Sequence, residues 1–315
     1  MNEIILADPI PEMFFQMSEN RFRVLPLDSA GTSSNSDVNS DVVAIVTYAH
    51  PLIDGRLLDR FPAVRVISNH GVGVDHIDVA AARQRGIPVG NTPGCLDAAT
   101  ADMTMALLLA VARNVVIGDH FARGPLFTHF DPAILIGQEV TGNTLGIVGM
   151  GGVGAEVARR ARGFDMKIVY HNRRRRTDVE GSLAATWCSF PDLLQQSDFV
   201  SLNCPLTPET HGLMGLDQFR LMKHSGILIN MARGPVVRTD ALYQALTEKI
   251  IAAAALDVTD PEPLPRDHPL LQLENLVIAP HLGSASGRTR ARMMEMTIRN
   301  LVAGIEGTAL PWPVN

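Results

Sequence analysis

The run Gly149-Met-Gly151-Gly-Val-Gly154 is the first place where residue type and spacing could do chemistry. A G-x-G-x-x-G pattern gains its specificity from context, and here the apolar Leu145-Gly-Ile-Val148 precedes it and the helix-forming Ala155-Glu-Val-Ala-Arg-Arg-Ala161 follows. Gly149 permits a tight turn, Gly151 lets the backbone approach a pyrophosphate, and Gly154 lets the helix pack on the strand. The amides of the loop, including those of Gly152 and Val153, and the helix dipole then hold the anion. The residue that reads the ribose stands about 20 positions further on. Here Lys167-Ile-Val-Tyr170 runs into His171-Asn172-Arg173-Arg174-Arg175-Arg176. A carboxylate would bond both ribose hydroxyls and repel a 2′-phosphate; Asn172 does neither job well, whereas arginines grip a dianion. NADP(H) is therefore the expected cofactor, with NAD(H) possible, and Asn172, Arg173 and Arg174 are expected at its ribose end. A solvated basic turn is the plain alternative.

Of the ten histidines, His281 stands apart because Pro280 and Gly283-Ser284 frame it just beyond an apolar run, where α/β folds bind ligands. His50, His70 and His76 are further candidates for lining a substrate cleft. Cys95, Cys188 and Cys204 lie far apart and odd in number, which argues against a disulfide framework and against a zinc site; no metal is expected. Cys95 and Cys204 read as small buried hydrophobes, with no paired base beside either.

These groups need elements to carry them. Short apolar runs alternate with helical patterns throughout, the signature of α/β units around parallel sheets. Strands are expected at 4–7, 42–47, 64–68 and 88–90, then at 145–148, 167–170, 199–202, 226–230, 252–256 and 276–278. Helices are expected at 53–60, 78–85 and 289–303, with a long one over 98–113 that carries the chain between domains and is followed by an irregular arm. Residues 29–40, rich in Gly, Ser, Asn and Asp, read as a surface turn. At 315 residues two domains are expected, 1–100 with 288–315 for the substrate and 101–287 for the dinucleotide. The net charge of −6 sets aside nucleic acid as a partner. The longest apolar run, residues 105–112, is far short of the ~20 residues of a membrane span, and the first eight residues carry no targeting pattern, so a cytoplasmic enzyme is expected.

Three blocks in the last third, Asn230-Met-Ala-Arg-Gly-Pro-Val-Val237, Leu256-Asp-Val-Thr-Asp-Pro-Glu-Pro-Leu-Pro265 and Ala279-Pro-His-Leu-Gly-Ser284, resemble in order and spacing the signatures of the D-isomer-specific 2-hydroxyacid dehydrogenases. Gly71-Val-Gly-Val-Asp75, Asn91-Thr-Pro93, Ala101-Asp102 and Cys204-Pro-Leu-Thr-Pro208 extend the resemblance over nearly the whole chain, and Asp257-Val-Thr-Asp-Pro-Glu262-Pro is most similar to the glyoxylate/hydroxypyruvate reductase branch. The resemblance implies a flavodoxin-like substrate domain and a Rossmann domain, both doubly wound, with the active site in the cleft between them. It implies hydride transfer between nicotinamide C4 and the carbonyl carbon of a small 2-oxo acid, glyoxylate or hydroxypyruvate, with His281 as proton donor and Glu262 as the carboxylate that favours its imidazolium. Arg233 would hold the substrate carboxylate and polarise the keto oxygen, and the amides around Val72 and Gly73 would bind the other carboxylate oxygen. Pro205, Met231, Asp257, Gly283 and Ser284 would line the cofactor.

Two departures stand out: Arg238 replaces the Asn or Asp frequent in the family, and the arm over 125–140 has Phe127, Phe130 and Ile134 but no tryptophan. The alternatives are a 2-ketogluconate reductase, which needs only a roomier cleft, and a dinucleotide-binding corepressor-like module. The short tail Leu310-Pro-Trp-Pro-Val-Asn315, with no long disordered extension, weighs against the latter. Family members pair through the dinucleotide domains, and the apolar arm from Phe121 to Ile136 would otherwise have to fold back, so a homodimer is expected.

Overall fold

In the computed structural model, which describes residues 3–27 and 40–315, the chain divides into two units, Met1–Leu96 with Ser286–Asn315 and Asp97–Ala285. The first contains β1 (Glu3–Ala7), α1 (Glu12–Met17), β2 (Phe22–Pro26), β3 (Val42–Thr47), α2 (Gly55–Asp59), β4 (Val66–Asn69), α3 (Val79–Gln84) and β5 (Val89–Gly90). Its strands form one parallel sheet in the order β2-β1-β3-β4-β5. Side chains alternate across a strand, so Leu6, Ile45 and Ile67 face Leu58 of α2 and Ala82 of α3, while Ile5, Ala44 and Val66 face Phe14 of α1 and Met294 and Leu301 of the C-terminal helix Gly287–Ile305. Both faces are covered, which is why the central strands read as nearly unbroken apolar runs.

The second unit opens with α4 (Asp97–Ala112) and α5 (Val115–Arg123) and continues through β6 (Thr144–Val148), α6 (Gly152–Ala161), β7 (Lys167–His171), α7 (Thr177–Leu183), β8 (Ala185–Trp187), α8 (Phe190–Gln196), β9 (Phe199–Leu202), α9 (Leu216–Leu221), β10 (Ile227–Asn230), α10 (Thr239–Thr247), β11 (Ala253–Leu256) and β12 (Leu276–Ile278). Its seven parallel strands lie in the order β12-β11-β10-β9-β6-β7-β8. The chain winds outward from β6 to β8, returns to β9 on the other side and winds outward again. Between β6 and β9 the loops diverge at the carboxyl ends of the strands, and there an open α/β sheet binds its ligand. The C-terminal helix, α11 (Gly287–Ile305), returns the chain to the first unit.

Every expected strand has its counterpart, and two further strands are present. Both of these, β2 and β8, lie at one edge of their sheets, opposite β5 and β12 at the other. Edge strands are short and polar on their open side: β2 carries Arg23 and ends on Pro26, and β8 has three residues. The arm after residue 113 begins with a nine-residue helix, α5, in which no residue is buried; β-branched Val115, Val116 and Ile117 and a central Gly118 obscure its periodicity in sequence. Of the expected turn at 29–40, all but Ser40 lies outside the described residues. No single helix among the described residues is long and apolar enough to cross a membrane.

Candidate active site

At the carboxyl end of β6 the backbone turns through Gly149 with φ +100°, a region closed to most L residues. A Cβ there would stand 2.6 Å from the amide nitrogen of Cys204 and 2.7 Å from the carbonyl carbon of Asn203, in the loop leaving β9. Only glycine lets the two loops of the switch point meet. Beyond the turn, no acceptor among the described residues takes the N–H groups of Gly151, Gly152 and Val153 at the start of α6, and nothing lies within 4 Å of where a Gly151 Cβ would be. Unpartnered amides, a positive helix end and open space above Gly151 together fit the pyrophosphate of a dinucleotide. The Asp97 carboxyl, which sequence reasoning did not single out, packs against Gly152, and burial pushes its pKa upward, with Glu156 adding to the shift.

The four arginines after β7 fall into two pairs. Arg175 makes a bidentate ion pair with Glu180 at 2.7 and 2.8 Å, and Arg176 another with Asp178 at 2.8 and 2.6 Å. Arg173 and Arg174 are exposed, and neither is ion-paired with a described residue. The structure turns the Asn172 side chain to the glycine loop, where its Oδ1 accepts the Met150 N–H at 2.6 Å.

At the other end of the sheet β11 delivers Asp257, buried to 3% exposure, and its two carboxylate oxygens accept the N–H groups of Leu282 at 2.6 Å and Gly283 at 2.8 Å. Burial raises the Asp257 pKa while those two amides oppose the rise. The same residue's carbonyl accepts the His281 N–H at 2.9 Å. His281 lies between these anchors with φ +56°, left-handed backbone that a non-glycine residue adopts only when its surroundings impose it. Its Nδ1 meets Glu262 Oε1 at 2.7 Å, with the histidine half-buried and the glutamate exposed. A carboxylate on Nδ1 fixes that nitrogen as the donor and directs Nε2 to other work.

Arg233 follows β10, and its turn is built by the fully buried Asn230. Asn230 Oδ1 accepts the Ala232 N–H and its Nδ2 donates to the Arg233 carbonyl, both at 3.0 Å. Gly234 packs directly on the Thr259 carbonyl, a closeness that brings the Arg233 turn against the segment leading to Glu262. The sites of Met231, Asp257 and Gly283 adjoin: a Cβ at Gly283 would lie 3.0 Å from Asp257 Oδ2 and 3.4 Å from Met231 Cε. Pro205 is exposed beyond β9, and Ser284 is half-buried. Arg238 pairs with Asp240 at 2.8 Å, so the departure noted in sequence is offset locally. The Cys204 thiol, pushed up to about 11 by burial, is no nucleophile.

In the first unit, β4 ends on Asn69, whose Nδ2 donates to the carbonyls of Gly71 and Gly73 at 2.9 Å each, while its Oδ1 accepts from Thr47 at 2.7 Å. Asn91 Nδ2 takes the Val72 carbonyl at 2.8 Å. With three consecutive carbonyls bound, the N–H groups of Val72 and Gly73 are left without an acceptor among the described residues. Adjacent amides of this kind are the groups with which a backbone nest can hold an anion. His70 and His76 are buried within this unit; only His50 of the three is exposed. Sequence reasoning missed Asn69 and Asn230 as builders of these loops, though each had a signal: an asparagine closing an apolar strand just before the functional turn.

A fingerprint helix at a topological switch point, with a carboxylate-held histidine beyond the edge strand β12 of the same sheet, defines the class as dinucleotide-dependent oxidoreductases. Residues 105–283 match the family described as D-isomer specific 2-hydroxyacid dehydrogenase, NAD binding domain. The glyoxylate reductase of Korarchaeum cryptofilum is 45% identical over 99% of this chain and 95% of its own, and that of Thermococcus kodakarensis is 46% identical over 87% and 84%. A Thermus thermophilus protein of known structure superposes with a TM-score of 0.89 at 42% identity over 99% of this chain and 100% of its own. The NADPH-dependent glyoxylate/hydroxypyruvate reductase of Sinorhizobium meliloti, solved with NADP and malonate, also superposes with a TM-score of 0.89, at 29% identity over 99% and 96%. The chain belongs to the D-isomer-specific 2-hydroxyacid dehydrogenase family.

Proposed function

We propose that the protein reduces small 2-oxo acids, glyoxylate and hydroxypyruvate first, to their 2-hydroxy acids, with the D configuration where the product is chiral and with NADPH preferred over NADH. The observation that carries this reading is the 2.7 Å contact between His281 Nδ1 and Glu262 on a loop braced by Asp257. The bound nicotinamide supplies the hydride. As negative charge gathers on the keto oxygen, His281 donates a proton to it from Nε2, and Glu262 stabilises the imidazolium that does so. Arg233 holds the substrate carboxylate and polarises the carbonyl, and the nest at Val72 and Gly73 takes the second carboxylate oxygen. Gly149 to Gly154 hold the pyrophosphate, and Pro205, Met231, Asp257, Gly283 and Ser284 flank the nicotinamide half. NADPH preference is supported by Arg173 and Arg174, the two arginines of the run that make no direct ion pair among the described residues, although the charge of Arg173 is felt by the Glu209 carboxylate. The odd count and wide spacing of Cys95, Cys188 and Cys204 support a reducing, cytoplasmic setting.

Purified protein, NADPH and a panel of 2-oxo acids test the activity: oxidation of NADPH with glyoxylate and hydroxypyruvate is expected. Faster turnover of 2-ketogluconate would make the protein a sugar-acid reductase, and no turnover with any member would favour a binding module. For the cofactor, replacing Arg173 and Arg174 with alanine should lower the NADPH/NADH ratio of kcat/KM at least tenfold; an unchanged ratio rejects the assignment.

A further inference from the structure

Between Asn172 and Arg176 lies the turn that presents Arg173 and Arg174, and both of its ends are held by aromatic side chains from adjoining strands. Tyr170 of β7 and Trp187 of β8 are direct partners in the parallel register. The Trp187 indole Nε1 donates to the Asn172 carbonyl at 3.2 Å. The Tyr170 hydroxyl accepts the Arg176 N–H at 2.7 Å and donates to Glu180 Oε1 at 2.7 Å. The same two end residues grip the glycine loop: Asn172 Oδ1 accepts the Met150 N–H, and Arg176 Nη1 donates to the Met150 carbonyl at 3.1 Å. The two backbone polar groups of Met150 are thus bound to the two ends of the arginine turn. His171, whose Nδ1 meets the Cys188 carbonyl at 3.0 Å, sets its ring 6.2 Å from Trp187 and 5.8 Å from Phe190, backing the indole.

Trp187 is 38% exposed on an edge strand. Burial does not compel its N–H to find a protein acceptor, since water could serve. We propose that Trp187 and Tyr170 are positioning residues that set nucleotide selectivity, by fixing the turn so that Arg173 and Arg174 meet a 2′-phosphate at a set distance from the glycine loop. This rests on the NADPH reading given above. A turn held at both ends loses little loop entropy on binding the dianion, whereas a loose turn must be ordered by the ligand itself. NADH, which lacks the 2′-phosphate, draws nothing from that order.

The test is Trp187→Phe in the full-length protein, which keeps an aromatic ring and removes the donor, with KM and kcat measured for NADPH and NADH at saturating glyoxylate. The KM for NADPH should rise about fivefold, the factor for one net hydrogen bond, with kcat and the KM for NADH within twofold of wild type. Tyr170→Phe, acting at the other end of the turn, should give the same split, and it decides alone if Trp187→Phe does not fold. A KM for NADPH that does not move, or an equal rise for both nucleotides, overturns the proposal while wild-type preference for NADPH leaves the cofactor reading intact. A wild-type enzyme without that preference overturns the cofactor reading, and the proposal with it.

Discussion

His281 performs its work in a conformation that its own sequence disfavours. The left-handed backbone at φ +56° is imposed from three sides, by the Asp257 carbonyl on its amide and by the Asp257 carboxylate on the two residues that follow. Asp257 is therefore a brace of the His281 loop as well as a proposed wall of the nicotinamide site, a division of labour not visible in the residue type. His281→Ala is expected to leave the Kd for NADPH nearly unchanged while kcat falls by ~10²–10⁴-fold, the usual contribution of a positioned proton donor; calorimetric titration and steady-state kinetics check the two halves, and near-wild-type kcat would remove His281 from its role. Glu262→Gln keeps a hydrogen-bonding partner at Nδ1 but removes the carboxylate charge beside the ring, so a loss of kcat smaller than that of His281→Ala is expected in the same assay.

Among the elements, β4 carries both the asparagine that shapes the nest and a histidine just beyond it. His70 stacks on Tyr48 with ring centroids 4.6 Å apart and shares Nδ1 with Thr297 Oγ1 at 3.1 Å; because Thr297 donates its own proton to the Met293 carbonyl, His70 Nδ1 is the donor. Its Nε2 is buried without a hydrogen-bond partner among the described residues. Burial, aided by the charge of Arg290, lowers the His70 pKa to about 4. The unfolded chain takes up this proton near pH 6.5, whereas the folded protein refuses it until about pH 4. Stability from this group is thus fully present above about pH 6.5 and is lost as pH falls toward 4, by up to about 3 kcal/mol. Denaturant unfolding of His70→Phe, which keeps the stack on Tyr48, should show a flatter decline between pH 7 and 4.5 than wild type; parallel declines would refute the account. The elements themselves were largely legible: the interior strands announce themselves because burial on both faces demands unbroken apolar runs, whereas β2 and β8, solvated along one edge, send no such signal.

Over the whole molecule, apolar exposure is uneven. Eight of the sixteen large hydrophobic residues exposed among the described residues lie between Val115 and Ile136, with Phe130 at 81% and Ile136 at 78%. Water at such a segment is costly, at roughly 25 cal/mol per Å² of apolar surface, and a second copy of the chain is the proposed cover, as in a symmetric dimer. Light scattering at micromolar concentration should give the dimer mass, and Phe130→Asp with Ile136→Asp should shift it toward the monomer. A monomer mass for the wild-type protein would count against the homodimer.

Local rules of the chain determined the alternation of strands and helices, the glycine turn with its anion-binding helix and the basic turn after β7, because each depends on residues that are neighbours in sequence. The pairing of His281 with Glu262, 19 positions apart, was available only through resemblance. Tertiary structure alone decided which arginines of the run are taken up in bidentate ion pairs, since Glu180 and Asp178 reach Arg175 and Arg176 only once α7 has folded beside them. It also decided that Asn172 braces Met150, that Asp257 holds the loop of His281, and that Asn69 and Asn91 together bind the carbonyls of Gly71, Val72 and Gly73. A hydrogen bond between distant residues is a property of distance and angle in space, and no spacing along the chain encodes it.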